Sequence, residues 1–498
     1  MDAAVFAPAG NGAAAHGFAL VAAAQVWRTL LSLGSGVLLA RLLAPADFGV
    51  VAMAMTAMSL AVLVQDVGLG QATVQRERLD AAHVDAMFWL TLAASAAAAL
   101  AMALAAPAAA AFYREPRVAP LTAAFALVLL IYGAQGQPMA LLQRQMRFSV
   151  IAVLDALAAS AGFAVAVAVA WATRSYWALF LSTLVGATIS LAGAWIACGW
   201  RPGPPRRHAE LGGLLRFGGG VAGFQVLNFL SRNADNMLIG RFLGQIVLGF
   251  YDRAYRLLLF PLQQVGAPMQ KVMVPLLSHL QREPARYRAA FAEGVSLMMT
   301  AVQPGILVAV LYAPGVFRLL LGERWAPAAP IFQWLGLVGL QQSLTFGVGW
   351  LLLSQGRGGD TFKVGAVNAA FSVAAFVIGL RWGAVGVAGA YALSEYLKTA
   401  PLVWWIGRSG PVSAADIWRL SWPHVLASGA SAAALFALGR IAGPFGWSFA
   451  AAALVLSYAV TLAVLALFES KRRMLAKAAA LGGGLVRRAP AAEAAHEA

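Results

Sequence analysis

Cysteine and charged residues are both scarce in this chain of 498 residues. Cys198 is the one cysteine, so no disulfide can form within the chain, and we expect this thiol to be buried and structural. Charged residues make up 11% of the sequence, whereas soluble globular proteins carry about 25%. Hydrophobic residues make up 61%, which excludes an ordinary water-soluble domain and indicates a membrane protein.

Signatures of bound nucleotides, metals and catalytic groups are also missing. The chain contains no glycine-rich phosphate loop of the form G-x-x-x-x-G-K-[ST], which argues against ATP hydrolysis. Its six histidines show no metal-ligand spacing, and no Ser/His/Asp arrangement can be argued from the pattern. The sequence therefore predicts no cofactor, no metal site and no enzymatic activity.

Long apolar runs fill most of the chain and are continuous along it. A helix needs about 20 residues to cross a bilayer, and the runs are long enough for about fourteen such helices. The predicted cores are 17–40, 48–70, 87–111, 118–142, 150–172, 176–199, 217–240, 247–275, 294–318, 328–353, 362–381, 383–407, 420–440 and 447–468. The predicted fold class is therefore an all-α integral membrane protein.

Basic residues outnumber acidic residues, with 36 Lys and Arg against 20 Asp and Glu. The net charge of +16 would suit a nucleic-acid partner, but the positions of the basic residues do not favour it. They concentrate in every second connection between predicted helices and in the C-terminal tail, as the positive-inside rule describes. We therefore expect both termini in the cytoplasm, basic loops against anionic lipid headgroups, and no nucleic-acid partner.

Two stretches of the chain, 21–74 and 221–274, align with each other without a gap. Matched residues share an offset of 200 positions, as Arg41 does with Arg241 (241 − 41 = 200) and Gly49 does with Gly249 (249 − 49 = 200). An even number of predicted helices separates the two starting points. The repeats are therefore predicted to be parallel, related by an axis along the membrane normal.

The repeat also predicts the domain organisation. A first six-helix bundle would occupy residues 1–200 and a second would occupy 217–410, with a cytoplasmic linker rich in proline and arginine at 201–216. Two additional helices would follow at 411–470, and a basic, partly disordered cytoplasmic tail would occupy 471–498. Secondary transporters are often built from two such bundles with the substrate path between them.

The most distinctive stretches of sequence lie inside the repeat. The first copy contains Ala-Arg-Leu-Leu-Ala-Pro-Ala-Asp-Phe-Gly at 40–49 and Asp-Val-Gly-Leu-Gly-Gln-Ala at 66–72. The second contains Ser-Arg-Asn-Ala-Asp-Asn at 231–236 and Ile-Gly-Arg-Phe-Leu-Gly at 239–244. These segments resemble the polysaccharide-exporter flippases of the multidrug/oligosaccharidyl-lipid/polysaccharide superfamily.

This resemblance implies a function and a set of partners. It implies that the protein flips an oligosaccharide repeat unit, linked to a lipid of the undecaprenyl-pyrophosphate type, across the bacterial inner membrane. The product would be an exopolysaccharide, a capsule or a lipopolysaccharide. The implied partners are the lipid-linked oligosaccharide, membrane lipids, and the polysaccharide polymerase and export machinery. The family offers no invariant set of functional residues, so the candidate residues come from the sequence itself.

Four residues of the repeat motif are interpreted as structural: Arg41, Gly49, Arg241 and Gly249. The two arginines end their predicted helices near the membrane interface, where they can contact headgroups and the last helix carbonyls. The two glycines permit close approach of neighbouring helices.

Ionisable residues inside the predicted spans are the functional candidates, because a charge at the bilayer centre costs at least about 2.5–3.5 kcal/mol on insertion scales. Arg28, Arg232, Asp235 and Arg256 are the predicted substrate-binding candidates in the cavity. Arginine suits a pyrophosphate-linked substrate because its guanidinium binds phosphate with a bidentate fork.

Asp66 and Glu395 are the predicted candidates for coupling to a proton or sodium gradient. For Arg232, Asp235 and Arg256, ion pairs within one helix are the alternative explanation: the Arg232–Asp235 spacing is i,i+3, and the Asp252–Arg256 spacing is i,i+4. Asp155, by contrast, lies close to a predicted helix end, where an interfacial position explains its charge.

Two other functions stay open at this point. A drug/cation antiporter of the same superfamily would favour an acidic central cleft, and the mixed charges seen here discriminate only weakly. A polytopic polysaccharide-synthesis enzyme would need a sizeable extramembrane loop, and the spacing of the predicted helices leaves no room for one. Arg28 has no acidic partner in its own helix, which favours an anionic substrate.

Overall fold

The structure is a computed structural model, and it describes residues 14–65, 70, 73–74, 80–204, 211–441, 443 and 445–477. Within these residues the chain forms fourteen main α-helices: α1 (Ala14–Leu42), α2 (Pro45–Gln65), α3 (Ala81–Tyr113), α4 (Val118–Arg144), α5 (Phe148–Thr173), α6 (Trp177–Cys198), α7 (Leu211–His279), α8 (Pro284–Leu311), α9 (Ala313–Leu320), α10 (Ala328–Ser354), α11 (Gly358–Gly379), α12 (Gly383–Gly407), α13 (Ala414–Ile441) and α14 (Trp447–Ala466). A further helical stretch covers 469–477, and the described residues contain no β-strand.

The longest helix, α7, contains a break at Gly244. This residue has φ 85° and ψ 176°, a conformation open to glycine and strained for other residues. The break divides α7 into the segments 211–243 and 245–279, while α9 has only eight residues and is too short to cross a bilayer. Counting the two segments separately and leaving α9 out, fourteen helical segments among the described residues are long enough to cross a bilayer. Each overlaps one predicted core, which confirms the predicted all-α fold class.

Within the described part of the chain, ten stretches are both long and apolar enough to cross a membrane. One of them, Gly358–Gly407, contains both α11 and α12. α1 and α7 are not among the ten. These two helices hold most of the candidate residues, with Arg28 in α1 and Arg232, Asp235 and Arg256 in α7.

Contacts between residues divide the chain into two compact units. Unit 1 comprises Met1–Asp252 together with Leu320–Arg324, and unit 2 comprises Arg253–Leu319 together with Trp325–Ala498. The division falls within the second segment of α7. The sequence predicts a linker at 201–216, and residues 205–210 of that linker lie outside the described residues. The repeat boundaries at 200 and 217 remain a prediction.

Unit 1 is built from pairs of adjacent helices. α3 packs along α4, α5 packs along α6, α2 lies on α3 and α4, and α1 lies along α5. A core cluster at one end includes Phe88, Leu141, Cys198 and Trp200, with the rings of Phe88 and Trp200 edge to face at 5.5 Å. Cys198 is a buried free thiol, as expected from the sequence.

Unit 2 contains the helices that follow. α8 packs on α10, and α12 packs on both α10 and α11. α13 and α14 pack on each other and on α8 through hydroxyl groups, since Ser431 Oγ lies 2.9 Å from Thr461 Oγ1 and Ser457 Oγ donates to the Pro304 carbonyl at 3.1 Å. Such polar side chains commonly join helices inside membranes, where packing and hydrogen bonds replace the hydrophobic effect.

Candidate functional site

The two repeat-related glycines lie in a contact between α2 and the second segment of α7. A methyl group on Gly49 would lie 1.8 Å from the carbonyl oxygen of Gln245, and one on Gly249 would lie 2.0 Å from that of Pro45. The contact is reciprocal, since Gln245 is also 200 positions from Pro45. A local two-fold axis produces a contact of this kind, in which equivalent residues of two helices meet each other. The contact therefore supports the prediction that the two repeated stretches are related in parallel.

The two repeat-related arginines also contact other helices. Arg41 Nε donates to the carbonyl of Leu320, at the end of α9, with a distance of 3.1 Å. The Arg241 guanidinium lies over the ring of Phe112, near the end of α3, at 5.8 Å from the ring centroid. Each of these arginines therefore contacts a residue at the end of another helix, which suits the structural role predicted for it.

Arg28, the leading cavity candidate, has a partner on a different helix. Its Nη1 lies 2.8 Å from Asp155 Oδ2 on α5, and the two side chains are 44% and 31% exposed. Between the same two helices, α1 and α5, Trp27 Nε1 donates to Ser160 Oγ at 2.9 Å. Asp155 therefore orients Arg28, while the remaining N–H donors of the guanidinium have no partner among the residues that the structure describes.

Asp235 is enclosed within the broken helix. Its residue is 3% exposed, it accepts a hydrogen bond from the Tyr251 hydroxyl at 3.0 Å, and it accepts another from the Asn236 backbone N–H at 2.8 Å. Tyr251 lies in the second segment of α7, so this carboxylate joins the two segments across Gly244. The contacts favour a role in holding the break over one in contacting substrate.

The two remaining cavity candidates are Arg256 and Arg232. Arg256 is exposed in the second segment of α7 and lies in unit 2, while Arg28 lies in unit 1. The side chain of Arg232 and the whole of Asp66 lie outside the described residues, so the expected Arg232–Asp235 pair and the expected ion-coupling role of Asp66 stay predictions.

Glu395, the second ion-coupling candidate, has an internal cation beside it. Lys398 Nζ lies 2.6 Å from Glu395 Oε1, and the two side chains are only 6% and 15% exposed. Lys398 also donates to Ser372 Oγ on α11 at 3.3 Å. This pair was not predicted from the sequence, although the i,i+3 spacing that suggested the Arg232–Asp235 pair is equally present here.

These contacts define what the candidate site can do chemically. Arg28 supplies an exposed, oriented guanidinium inside a polar membrane helix, which suits recognition of a phosphate. Among the described residues, no three His, Cys, Asp or Glu side chains are grouped so as to hold a metal ion. Each observed ion pair joins a basic side chain to an acidic one. This arrangement allows ion pairing and, through the basic side chain, recognition of an anion.

Solved structures of similar fold belong to transporters. The structure is similar to that of lipid II flippase MurJ in an inward closed conformation, with a TM-score of 0.72 over 90% of this chain and 98% of that chain, at 10% identity. It is also similar to an inward-facing multidrug resistance MATE family transporter of the MOP superfamily, with a TM-score of 0.59 over 79% and 95% of the two chains, at 15% identity. At these identities the likeness concerns the fold, and it confirms the predicted all-α membrane class.

Relatives of known sequence point to one family. The chain is 25% identical over 384 residues to lipopolysaccharide biosynthesis protein WzxC of Escherichia coli (strain K12), which covers 74% of this chain and 77% of that protein. It is 26% identical over 307 residues to succinoglycan biosynthesis transport protein ExoT of Rhizobium meliloti (strain 1021), which covers 62% of each chain. Residues 38–330, more than half of the chain, match the model of a family described as polysaccharide biosynthesis protein. The chain, a multi-pass membrane protein, therefore belongs to the polysaccharide biosynthesis protein family.

Proposed function

We propose that this protein flips a lipid-linked oligosaccharide, carried on a lipid of the undecaprenyl-pyrophosphate type, across the bacterial inner membrane. The observation that carries the proposal is membership of the polysaccharide biosynthesis protein family in a chain whose fold is that of a lipid II flippase. Relatives named for lipopolysaccharide biosynthesis and succinoglycan transport support the same substrate class. The product is an exopolysaccharide, a capsule or a lipopolysaccharide.

In the proposed mechanism, Arg28 recognises the phosphate of the substrate. Asp155 holds one guanidinium nitrogen at 2.8 Å, and the exposed remainder of the group donates to phosphate oxygens. The sugars cross through the polar path while the lipid tail stays in the bilayer. Arg232 is the second candidate for phosphate recognition.

The direction and the energy source form part of the same proposal. Both termini lie in the cytoplasm, in accordance with the distribution of basic residues, and the substrate enters from that side. Asp66 and Glu395 are the proposed ion-coupling carboxylates, and at Glu395 a coupling cation would compete with the Lys398 ammonium at 2.6 Å. A polysaccharide polymerase and export machinery take up the flipped repeat unit.

Substitution of Arg28 tests the proposal in cells that lack the chromosomal copy of the gene. A charge-assisted hydrogen bond contributes about 1.5–3 kcal/mol, so Arg28→Ala should lower polymer export by about tenfold or more. Lipid-linked repeat units should accumulate on the cytoplasmic side, with protein abundance unchanged. Arg28→Lys should restore export only in part, because a point charge replaces a bidentate donor.

One control and one double variant make this experiment decisive. Lys271→Ala removes an exposed basic side chain that has no proposed contact with substrate, and it should leave export unchanged. Full export by Arg28→Ala and by the Arg28→Ala, Arg232→Ala double variant would refute phosphate recognition by these residues.

A drug/cation antiporter is the second candidate, and the likeness to a MATE family transporter is the observation in its favour. That likeness, at 15% identity, concerns the fold, whereas the relatives closer in sequence carry names from polysaccharide synthesis. Efflux of a fluorescent cation from cells expressing the protein, with no effect on polymer export when the gene is deleted, would favour the antiporter.

A further inference from the structure

A groove of about 210 Å³ lies between α11 and α12 in unit 2. Its walls are apolar side chains from both helices, among them Val367 and Phe371 of α11 and Leu397 of α12. These three side chains are 53%, 52% and 65% exposed, although both helices lie within one stretch apolar enough to cross a membrane. An exposed apolar wall on a membrane-spanning helix matches hydrocarbon and not water.

One end of the groove carries two cations. Lys363 lines this end, and the Arg408 guanidinium lies 4.7 Å from the ring centroid of Trp404 and 5.9 Å from that of Trp405, which also lines the groove. Arg357 holds the start of α11 against the end of α12, since its Nη1 donates to the carbonyls of Ile406 and Ser409 at 3.0 and 2.9 Å.

Neither cation at this end is neutralised by a described residue. The nearest acid in sequence to Lys363 is Asp360, and its carboxylate is already bound to Arg357 at 2.8 Å. No described carboxylate forms an ion pair with Lys363 or with Arg408. The basic end of α11 and α12 therefore has the charge that attracts an anionic headgroup, and the positive-inside distribution places it at the cytoplasmic surface.

The other end of the groove is closed to anions. Lys398 lines it, but its ammonium is satisfied by Glu395 at 2.6 Å and by Ser372 at 3.3 Å. Its methylene stem adds apolar surface to the groove while its charge is neutralised. Apart from the two lysines, Asn368 is the one polar residue among the described residues that line the groove. The groove is thus mainly apolar and cationic at one end, which matches the distribution of an anionic lipid.

We propose that the groove binds one acyl chain of an anionic phospholipid, with the lipid phosphate at Lys363 and Arg408. This site is separate from the transport path assigned to Arg28, and it rests on the proposed function only for the cytoplasmic position of its basic end. Basic pockets between membrane helices on the cytoplasmic side bind anionic headgroups by this combination of charge and apolar surface.

Native mass spectrometry of the full-length purified protein tests the proposal, with phosphatidylglycerol and phosphatidylcholine as probes. Each basic residue near an anionic membrane surface changes binding by roughly fivefold. Lys363→Ala should therefore lower retention of phosphatidylglycerol by about fivefold and leave phosphatidylcholine unchanged. Lys363→Arg should retain the anionic lipid. Val367→Trp fills the groove and should lower retention of both lipids.

Lys271→Ala is the matched control, because Lys271 is an exposed basic residue of unit 2 that lies outside the groove. Equal retention of phosphatidylglycerol by Lys363→Ala and Lys271→Ala would overturn the headgroup site. Unchanged retention by Val367→Trp, in a variant with the wild-type gel-filtration profile, would overturn the acyl-chain site. Selective retention of polyprenyl phosphate through Lys363, without phosphatidylglycerol, would also overturn it and assign the groove to a carrier lipid.

Discussion

Two acid–base pairs inside membrane helices differ in what surrounds them. Arg28 and Asp155 join α1 to α5, with side chains 44% and 31% exposed, whereas Lys398 and Glu395 lie on α12 alone, with side chains 6% and 15% exposed. The first pair leaves guanidinium donors accessible to a ligand. The second is enclosed by Ser372 and by its helix neighbours, so a coupling cation would reach Glu395 only by displacing the Lys398 ammonium. Exposure, and not the presence of a charge inside a span, separates the two roles.

Breaking the enclosed pair should have the largest effect on stability. Lys398→Met leaves Glu395 buried without a counter-charge, and removal of one partner of a buried pair costs about 3–5 kcal/mol. Thermal unfolding of the purified protein in detergent measures this loss. Adding Glu395→Gln should restore most of it, because the uncompensated charge is then gone.

Arg473→Met is the matched control for this measurement, since its pair with Glu469 is 75% and 66% exposed. Equal losses of stability in Lys398→Met and Arg473→Met would remove the distinction between enclosed and open pairs.

The same contrast between enclosed and open surroundings applies to glycine. Gly49→Ala and Gly249→Ala each place a methyl group within 2.0 Å of a backbone carbonyl oxygen, so each should destabilise by about 1–3 kcal/mol or more. Gly34 on α1 has nothing within 4 Å of the added methyl, so Gly34→Ala should stabilise its helix by about 0.5–1 kcal/mol. Unfolding midpoints in detergent compare all three variants, and tolerance of Gly49→Ala would contradict the close contact.

Breaking the more exposed pair, Arg28–Asp155, should leave the free energy of unfolding nearly unchanged. Exposed ion pairs contribute about 0–1 kcal/mol, so Arg28→Ala and Asp155→Asn should both unfold close to the wild-type midpoint. Asp155→Asn should still lower polymer export, because Asp155 orients the guanidinium that is proposed to bind phosphate. A large loss of stability in either variant would place this pair in the same class as Lys398–Glu395.

Breaking an ion pair outside the membrane helices should have the smallest effect on stability, and this effect should depend on pH. Arg117 hydrogen-bonds to Glu115 in the turn between α3 and α4 and lowers the pKa of that carboxyl from its ordinary value of 4.5. A lowered pKa in the folded state adds stability above about pH 4.5, which is lost as the pH falls through the folded-state pKa. Unfolding between pH 3 and 7 should show a change below about 1 kcal/mol, absent in Glu115→Gln.

The helix count was predictable from the sequence because it depends on a local quantity, the length of each apolar run. The predicted cores 217–240 and 247–275 implied an interruption between residues 240 and 247, and the structure locates it at Gly244. The exact position was not predicted, because the φ of 85° at Gly244 depends on the backbone of both segments. The grouping of 211–252 with unit 1 was likewise not predicted from the repeat.

The candidate site was predicted only in part. Arg28 was identified because an arginine inside an apolar run is costly, which a single sequence reveals. Its partner Asp155 was interpreted as interfacial, since no sequence pattern connects residues on α1 and α5. Lys398 lies three residues from Glu395, so the spacing alone was sufficient to pair them, but their burial was not visible in the sequence.

The sequence by itself determined that this chain is an all-α membrane protein of about fourteen helices and that it resembles the polysaccharide exporters, while the parallel repeat stays a prediction. Each of these follows from composition, periodicity or local motif, which the order of residues contains directly. The tertiary structure alone decided that Gly49 and Gly249 each contact the backbone of the other's helix. It also decided that Asp155 orients Arg28 and that buried Lys398 neutralises Glu395. Helix packing determines these contacts, because it brings together residues that are far apart in the chain and sets how much of each charge is exposed.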